Sequence, residues 1–337
     1  MKRAYPSYYK KFKCVANRCA DSCCKDWDVV VDSETEAFYN TASGSLGEKI
    51  RRLTVTDSDG DRIFVSQNGR CPFWNSDMLC DIYIELGEEH LCRTCKSFPR
   101  VTADFSDFSE HFLSLACPEA ARLIFAEENA YADFENADYS VTTDEYDAEF
   151  MKLLLAARSE SAKILTDKSE SAAQRLAYCL EYNARLQSVI NGEEPVAFKP
   201  ESRQNSAGFI FDFFEKLDYM NGYIPKLLET ARANEDKRPL QNFDDKFEKL
   251  ALYLLYRYYL NAIESGDVLS PVKRMVCEYI ILSRALAADD SLDFTQAAQK
   301  YSKEIEHSYE NGEELDFEFM TNRDFSAESL AAILLKE

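Results

Sequence analysis

Cysteine is the residue type whose number and spacing in this chain could support chemistry. Nine of the eleven cysteines lie in residues 1–125, and one pair forms a C-x2-C turn, Cys92-Arg-Thr-Cys95. Such a turn lets two thiolates face one metal ion. The adjacent side chains of Cys23 and Cys24 diverge, so one of them is expected to bind a different metal or to pack inward. The nine cysteines are Cys14, Cys19, Cys23, Cys24, Cys71, Cys80, Cys92, Cys95 and Cys117.

Thiolates bind zinc, Cu(I) and iron–sulfur clusters well, and Mg²⁺ or Ca²⁺ poorly. Tetrahedral zinc and a [4Fe–4S] cluster both take four cysteine ligands, so the spacing leaves both open. The alternative is a set of reduced cysteines that act as small apolar side chains. Nine cysteines in so short a stretch favour a metal site or a cluster. His90, His111 and His307 could each add a nitrogen ligand.

Composition divides the chain into two regions. Residues 1–125 carry a formal net charge of −3, and the remainder carries −18 with only two cysteines, Cys179 and Cys277, in apolar helical contexts. We therefore expect a cysteine-rich metal- or iron–sulfur-binding domain over residues 1–125. An acidic linker would follow over 126–145, and an α-helical domain over 146–337.

The apolar periodicity predicts an α+β fold that is mostly α, with short strands in the cysteine-rich region. Alternating residues around Asp57–Gly60 indicate a β-hairpin. Strands are also expected at Trp27–Asp32 and Glu110–Ala116, and Pro118–Glu127 has proline in the first turn of a helix. In the second region, apolar residues recur at helical spacing. The helices predicted there are Phe150–Leu165, Ser171–Ile190, Gly208–Leu217, Asp244–Ile263, Pro271–Leu286, Phe294–His307 and Ser326–Leu335.

Several classes of protein are excluded by composition and pattern. A net charge of −21 argues against binding to nucleic-acid phosphates. No two of the ten glycines stand as G-x-G, so the Rossmann fingerprint is absent. The most apolar stretch, Leu250–Leu260, is too short for a membrane span and contains Arg257. Because the basic N-terminus lacks a following apolar segment, we expect no secretory signal and a cytoplasmic protein with reduced thiols.

Three blocks of the cysteine pattern resemble the flagellin lysine-N-methylase family, within the wider CxxCxxCC group of presumed zinc- or iron-chelating proteins. The blocks are CVANRCADSCCKDW, CPFWNSDMLCDIYIELGEEHLCRTCKSFPR and LSLACPEAARLI, all within residues 1–125. The helical remainder is similar only in general character. The resemblance implies methyl transfer from S-adenosylmethionine to lysine ε-amines of flagellin, with an iron–sulfur cluster in the active form. It also implies that the family's conserved cysteines correspond to Cys14, Cys19, Cys23, Cys24, Cys71, Cys80, Cys95 and Cys117, with Cys92 left outside the set.

Methylation of lysine by displacement at a sulfonium methyl requires a neutral amine, although a free lysine has a pKa of ~10.4. An enzyme must therefore desolvate the amine or supply a base. Tyr83, Glu85 and Glu88 lie in the cysteine-rich block and could line a channel for it. We favour the alternative, in which the tyrosine is a core aromatic and the glutamates are solvated.

The cysteine spacing departs from the usual radical-methyltransferase motif, C-x3-C-x2-C. Cys19 and Cys23 fit its first two positions, but Asp26 occupies the third. A cluster in this protein would therefore gather its ligands from several blocks.

Two side chains near the cysteines are candidates for binding S-adenosylmethionine. Arg100 follows the C-x2-C turn and could hold the cofactor carboxylate with two hydrogen bonds; the more common role is an ion pair with a neighbouring acid. Trp27 could flank the cofactor, although an indole beside a metal site usually packs as local core.

The sequence supports two functions of different classes. The first is a protein-lysine N-methyltransferase that uses S-adenosylmethionine and a cysteine-ligated cluster, with flagellin as its protein partner. The second is a non-catalytic zinc- or iron-binding protein that stores or senses metal or forms an interaction module. The absence of a recognisable nucleoside-binding motif favours the second, and the oligomeric state is left open.

Overall fold

A computed structural model gives the fold of this chain. The predicted linker over 126–145 lies partly outside the described residues, and its boundaries stay a prediction. The residues that the structure describes are 2–135, 139, 141, 143, 145–195, 197–200, 206–234 and 241–336.

Helices dominate the described chain, which confirms the mostly α, α+β fold. No helix there is long and apolar enough to cross a membrane. The strands are β1 Lys2–Ala4, β2 Val29–Val30, β3 Thr54–Thr56, β4 Arg62–Phe64, β5 Arg100–Asp104 and β6 Phe108–Leu113. The helices are α1 Ser33–Thr41, α2 Gly44–Leu53, α3 Asp81–Leu86, α4 Arg93–Ser97, α5 Pro118–Ala126, α6 Ala132–Glu135, α7 Ala148–Leu165, α8 Ala172–Ile190, α9 Gly208–Phe214, α10 Tyr223–Arg232, α11 Asp244–Tyr258, α12 Ala262–Ser265, α13 Ser270–Ala288, α14 Phe294–Ile305, α15 Tyr309–Thr321 and α16 Ala327–Leu334.

The strands form two small sheets. One has the order β1-β6-β5, in which β1 runs parallel to β6 and β5 runs antiparallel to it. The other is antiparallel with the order β2-β4-β3. The predicted hairpin is confirmed as β3–β4. Its turn forms because the Asp57 carboxylate accepts from the backbone N–H groups of Asp59 and Asp61, while Gly60 takes a φ of +91°.

Two hydrophobic clusters stabilise the chain. The smaller one lies in the cysteine-rich region, where Tyr39, Ile50, Phe64 and Phe73 pack together with Cys71 and other apolar side chains. The larger one joins the β1-β6-β5 sheet to the helices from α5 onward. The two ends of the cysteine-rich region therefore pack into the helical core, and only its middle has a core of its own.

A buried ion pair links the larger sheet to the helices. Arg158 of α7 donates to both carboxylate oxygens of Glu110 of β6, at 2.7 and 2.8 Å. Their side chains are only 3% and 1% exposed. The Tyr139 hydroxyl donates a further hydrogen bond to Glu110 at 2.7 Å. Two parallel hydrogen bonds of this kind fix geometry as well as charge.

The helices differ from the predictions where they are short or interrupted. The segment expected to be one helix over Asp244–Ile263 is broken after Tyr258 by the 3₁₀ turn Tyr259–Asn261. The expected strand over Trp27–Asp32 contains only two strand residues. The sequence patterns do not predict helices α1 to α4, α6, α10 and α15. For α1 the N-cap predicts the helix better than apolar periodicity does. Asp32 accepts a hydrogen bond from the Thr35 backbone N–H, whereas Tyr39 is the helix's single buried residue.

Candidate functional site

Four of the nine clustered cysteines form what we call the first thiol group, which spans both ends of the cysteine-rich region. Cys117 caps α5, with Pro118 at the first helical position. Burial raises the pKa of its thiol to about 11, and the nearby thiols of Cys19 and Cys14 add to this increase. The Cys14 sulfur accepts from the Ala16 backbone N–H at 3.4 Å. The members of the first thiol group are Cys14, Cys19, Cys23 and Cys117.

The other five cysteines form the second thiol group, beside the smaller core. Cys80 and Cys92 stand at the N-termini of α3 and α4, where backbone N–H groups are free to donate to sulfur. Burial raises the pKa of the Cys71 thiol to about 12, and the thiols of Cys24, Cys80 and Cys92 raise it further. The members of the second thiol group are Cys24, Cys71, Cys80, Cys92 and Cys95.

Two pairs of neighbouring thiols connect these groups. The interaction with the Cys23 thiol lowers the pKa of Cys24 to about 7 and links the two groups. The interaction with the Cys95 thiol lowers the pKa of Cys92. Cys92, which the family resemblance left outside the ligand set, is thus paired with a cysteine inside it.

The donor chemistry of both groups fits a thiolate-binding metal. Within the described residues, however, no three His, Cys, Asp or Glu side chains are arranged to hold one metal ion. The structure therefore contains pairs of donors, and a coordination sphere would require further cysteines to approach these pairs. Metal binding and its ligands stay a prediction.

Helix α14 holds the segment that carries Cys23 and Cys24. The Asp21 carboxylate, 7% exposed, lies 2.9 Å from the Lys300 ammonium and 3.2 Å from that of Lys303. Burial raises the pKa of Asp21, but the hydrogen bond from Lys300 and the charge of Lys303 outweigh burial and hold it below its usual value. The sequence analysis did not identify this anchor, although Lys300 and Lys303 are three residues apart on one helix face.

The predicted cofactor residues lie in different surroundings. The Trp27 indole N–H donates to the Cys23 carbonyl at 2.6 Å, and its ring packs 5.5 Å from Phe98 and from His307. This is the local-core role. Arg100 begins β5, where its guanidinium lies 5.2 Å from the Phe12 ring centre. Cofactor binding by Trp27 or Arg100 stays a prediction.

The remaining candidates are spread over the surface or packed in other contacts. Tyr83, Glu85 and Glu88 are exposed on and after α3, so the glutamates are solvated as expected, but the expectation that Tyr83 is a core aromatic is wrong, because its side chain is 51% exposed. His90 stacks on Phe38 at 3.9 Å between ring centres. His111 hydrogen-bonds to Thr102 and Ser109, and His307 to the Ser114 hydroxyl at 2.6 Å. Cys179 and Cys277 are fully buried in helices, as expected of core residues.

Comparison with known proteins identifies the family. The model of the FliB lysine N-methylase C-terminal domain matches residues 196–333. The flagellar biosynthetic protein FliU of Salmonella muenchen is 31% identical over 141 residues, which are 40% of this chain and 83% of FliU. The chain belongs to the FliB/FliU lysine N-methylase family. The matched domain includes α14, so the helix that anchors the cysteine segment is part of the family's C-terminal domain.

Two relatives carry the name lysine-N-methylase. The protein of Salmonella typhimurium strain LT2 is 32% identical over 133 residues, and that of Salmonella choleraesuis strain SC-B67 is 33% identical over 133 residues. Each match covers 38% of this chain and 33% of the relative, so the chain spans about a third of the length of each of these two proteins in the match. No solved structure matches the chain significantly.

Proposed function

We propose that this protein is a protein-lysine N-methyltransferase, with S-adenosylmethionine as the methyl donor and flagellin as the substrate. The observation that carries the proposal is the contact between the two characteristic parts of the chain. The segment that carries Cys23 and Cys24 is held against α14 through Asp21, and α14 belongs to the domain that matches the FliB lysine N-methylase model. The flagellar name of FliU supports flagellin as the substrate. No role for nucleic acid or a membrane is proposed.

The proposed reaction forms one bond and breaks another. The lone pair of the lysine ε-nitrogen attacks the sulfonium methyl, the N–C bond forms, and the C–S bond breaks with its electrons left on sulfur. S-adenosylhomocysteine leaves, and the nitrogen releases one proton to a base or to water. Because the attacking amine must be neutral, the protein has to desolvate it and take up its proton.

We also propose that activity depends on a [4Fe–4S] cluster held by cysteines of the two thiol groups. When bound, such a cluster would supply an iron able to ligate the methionyl part of S-adenosylmethionine. The chain's own contribution is to supply thiolate donors and to fix their segment through Asp21. The pairs Cys23–Cys24 and Cys92–Cys95 each offer two donors. Zinc is the alternative metal for the same donors.

We propose that the reaction takes place in the cytoplasm. All eleven cysteines lie in described residues and are free thiols, which suits a reducing compartment.

The proposal is tested by anaerobic purification with iron, sulfide and zinc analysis, followed by mass spectrometry of flagellin incubated with S-adenosylmethionine. We expect about four iron and four sulfide per chain and methylated lysines in flagellin. Cys95→Ser should lose cluster and activity together. Cys277→Ser, in a fully buried helical position, is the matched control and should keep both. Zinc without iron, and no methylation after cluster reconstitution, would contradict the proposal and favour a non-catalytic metal-binding protein.

A further inference from the structure

A small cavity lies among helices α9, α11, α13, α14 and α15, and two glutamates line it. Its volume is about 20 Å³, which is enough for one small polar group. Apolar walls come from Phe214, Leu254, Ile305 and Leu315. The polar residues of the lining are Tyr258, Arg274, Glu278, Tyr301 and Glu306.

Each of the two glutamates has an unsatisfied oxygen. Glu278 of α13 is 2% exposed, and its Oε1 is buried without a hydrogen-bond partner. Glu306, just after α14, accepts on Oε2 from Tyr253 at 2.9 Å and from Tyr258 at 2.5 Å, while its Oε1 is also buried without a partner. Burying such oxygens unpaired costs free energy. Two of them among the residues of one cavity fit a ligand that donates hydrogen bonds and carries positive charge.

Two arginines lie near the cavity, and only Arg274 directs its hydrogen bonds away from the glutamates. Arg274 at the cavity wall donates to the Gly312 carbonyl and to the Asp316 carboxylate, at 2.9 and 2.8 Å. The Arg257 guanidinium lies 4.9 Å from the centre of the Tyr258 ring. Burial would lower the pKa of Arg257, but the nearby Tyr258, Tyr253 and Glu306 outweigh burial, so Arg257 offsets part of the Glu306 charge. Burial, and then the charge of Glu306, raises the pKa of Glu278 well above its usual value. A positively charged ligand would therefore lower the free-energy cost of burying an ionised Glu278 and would weaken its repulsion by Glu306.

The lining matches an alkylammonium better than a metal ion. Calcium or magnesium takes six or more oxygen ligands, many of them from carboxylates, carbonyls or water. Here aliphatic and aromatic side chains surround the two glutamates, which suits a primary amine; at about 20 Å³ the cavity has room for the charged head and not for the hydrocarbon stem. Aromatic faces such as those of Tyr258 and Tyr301 add cation–π attraction.

Hydrogen bonds and ring contacts connect Glu306, in the cavity lining, with two segments that carry cysteines of the first thiol group. The Tyr253 hydroxyl that donates to Glu306 also accepts from the Leu115 backbone N–H at 3.1 Å, two residues before Cys117. On the other side of Glu306, His307 packs 5.5 Å from Trp27, whose indole N–H donates to the Cys23 carbonyl. A group held at Glu306 would therefore lie beside the segments that carry these cysteines.

We propose that this cavity binds the substrate lysine in its ε-ammonium form, with Glu278 and Glu306 as its binding residues; the ammonium must then lose one proton before its nitrogen attacks the methyl group. The assignment rests on the proposed methyltransferase function, because it names the site for that reaction's acceptor. The partly exposed lining residues, Tyr258, Arg274 and Glu306, mark the side on which the stem of the lysine would enter.

Thermal melting of the whole protein with butylammonium chloride at pH 8 tests the site. Butylammonium stands in for a lysine side chain, butanol lacks its charge, tetramethylammonium lacks its N–H groups, and sodium chloride matches the ionic strength. We expect a saturable rise in Tm of about 2 °C with butylammonium alone. An equal rise with sodium chloride, or none with butylammonium, would overturn the proposal.

Isosteric variants locate the binding. Glu278→Gln and Glu306→Gln should abolish the butylammonium response, whereas Glu314→Gln, at an exposed position on the neighbouring helix α15, should retain it. Circular dichroism establishes that each variant is folded. A wild-type response in both cavity variants would place the ligand elsewhere and contradict the proposal.

The methylation assay separates this proposal from the one on which it rests. If flagellin is methylated, Glu306→Gln should raise KM for flagellin about tenfold, because a charged contact to the ammonium is lost. Methylation of flagellin without a rise in Tm with butylammonium would overturn the assignment of the cavity and would leave the proposed methyltransferase function supported. A glutamate-dependent butylammonium response without methylation would support an alkylammonium site and remove the methyltransferase function.

Discussion

Glu278 is the residue whose burial should make the stability of the protein depend on pH. Burial and the charge of Glu306 raise its pKa in the folded state, whereas the unfolded chain has the ordinary value of ~4.3. Between these two pKa values the folded state binds more protons, so stability falls as pH rises above about 5. Glu278→Gln cannot ionise and should flatten this decline. Urea unfolding from pH 5 to pH 8 measures it, with Glu314→Gln expected to follow wild type; parallel curves for all three proteins would contradict the prediction.

At the scale of elements, the Asp21 carboxylate fastens the cysteine segment to α14. It is the partner of Lys303, a lysine only 2% exposed. Asp21→Asn would leave that ammonium buried with Asp26, 3.7 Å away, as its remaining ion-pair partner among the described residues. We expect a loss of about 3 kcal/mol in the free energy of unfolding, measured with urea.

The matched control for this change is an exposed ion pair. Glu149 and Lys152 form one with side chains 83% and 53% exposed, and Glu149→Gln should cost less than about 1 kcal/mol. Adding Lys303→Met to Asp21→Asn should recover part of the loss, because the unpaired charge is then removed. Equal effects of Asp21→Asn and Glu149→Gln would show that the anchor is not a stabilising contact.

At the scale of the whole molecule, local sequence patterns predicted individual helices and turns, but they did not predict the contacts between residues far apart in the chain. Helical periodicity identified α7, α8 and α13, and the Asp57–Gly60 turn identified its hairpin, because these features depend on neighbouring residues. The packing of β6 into the helical core and the contact of Asp21 with Lys303 join residues more than 40 and 280 positions apart. No local spacing encodes such contacts. The cysteine pattern indicated a site, while the division into two thiol groups required the fold.

The pair Glu110–Arg158 shows what these long-range contacts contribute, because it joins the sheet to the helices inside the larger core. Glu110→Gln would remove the charge that balances a guanidinium only 3% exposed. We expect a loss of about 3–5 kcal/mol in the free energy of unfolding, measured by urea denaturation. Replacing both partners, as Glu110→Gln with Arg158→Met, should be less destabilising than Glu110→Gln alone, because no buried charge is then left unpaired. A double variant as unstable as the sum of its single variants would show that the two side chains act independently, and that the sheet is held to the helices by apolar packing alone.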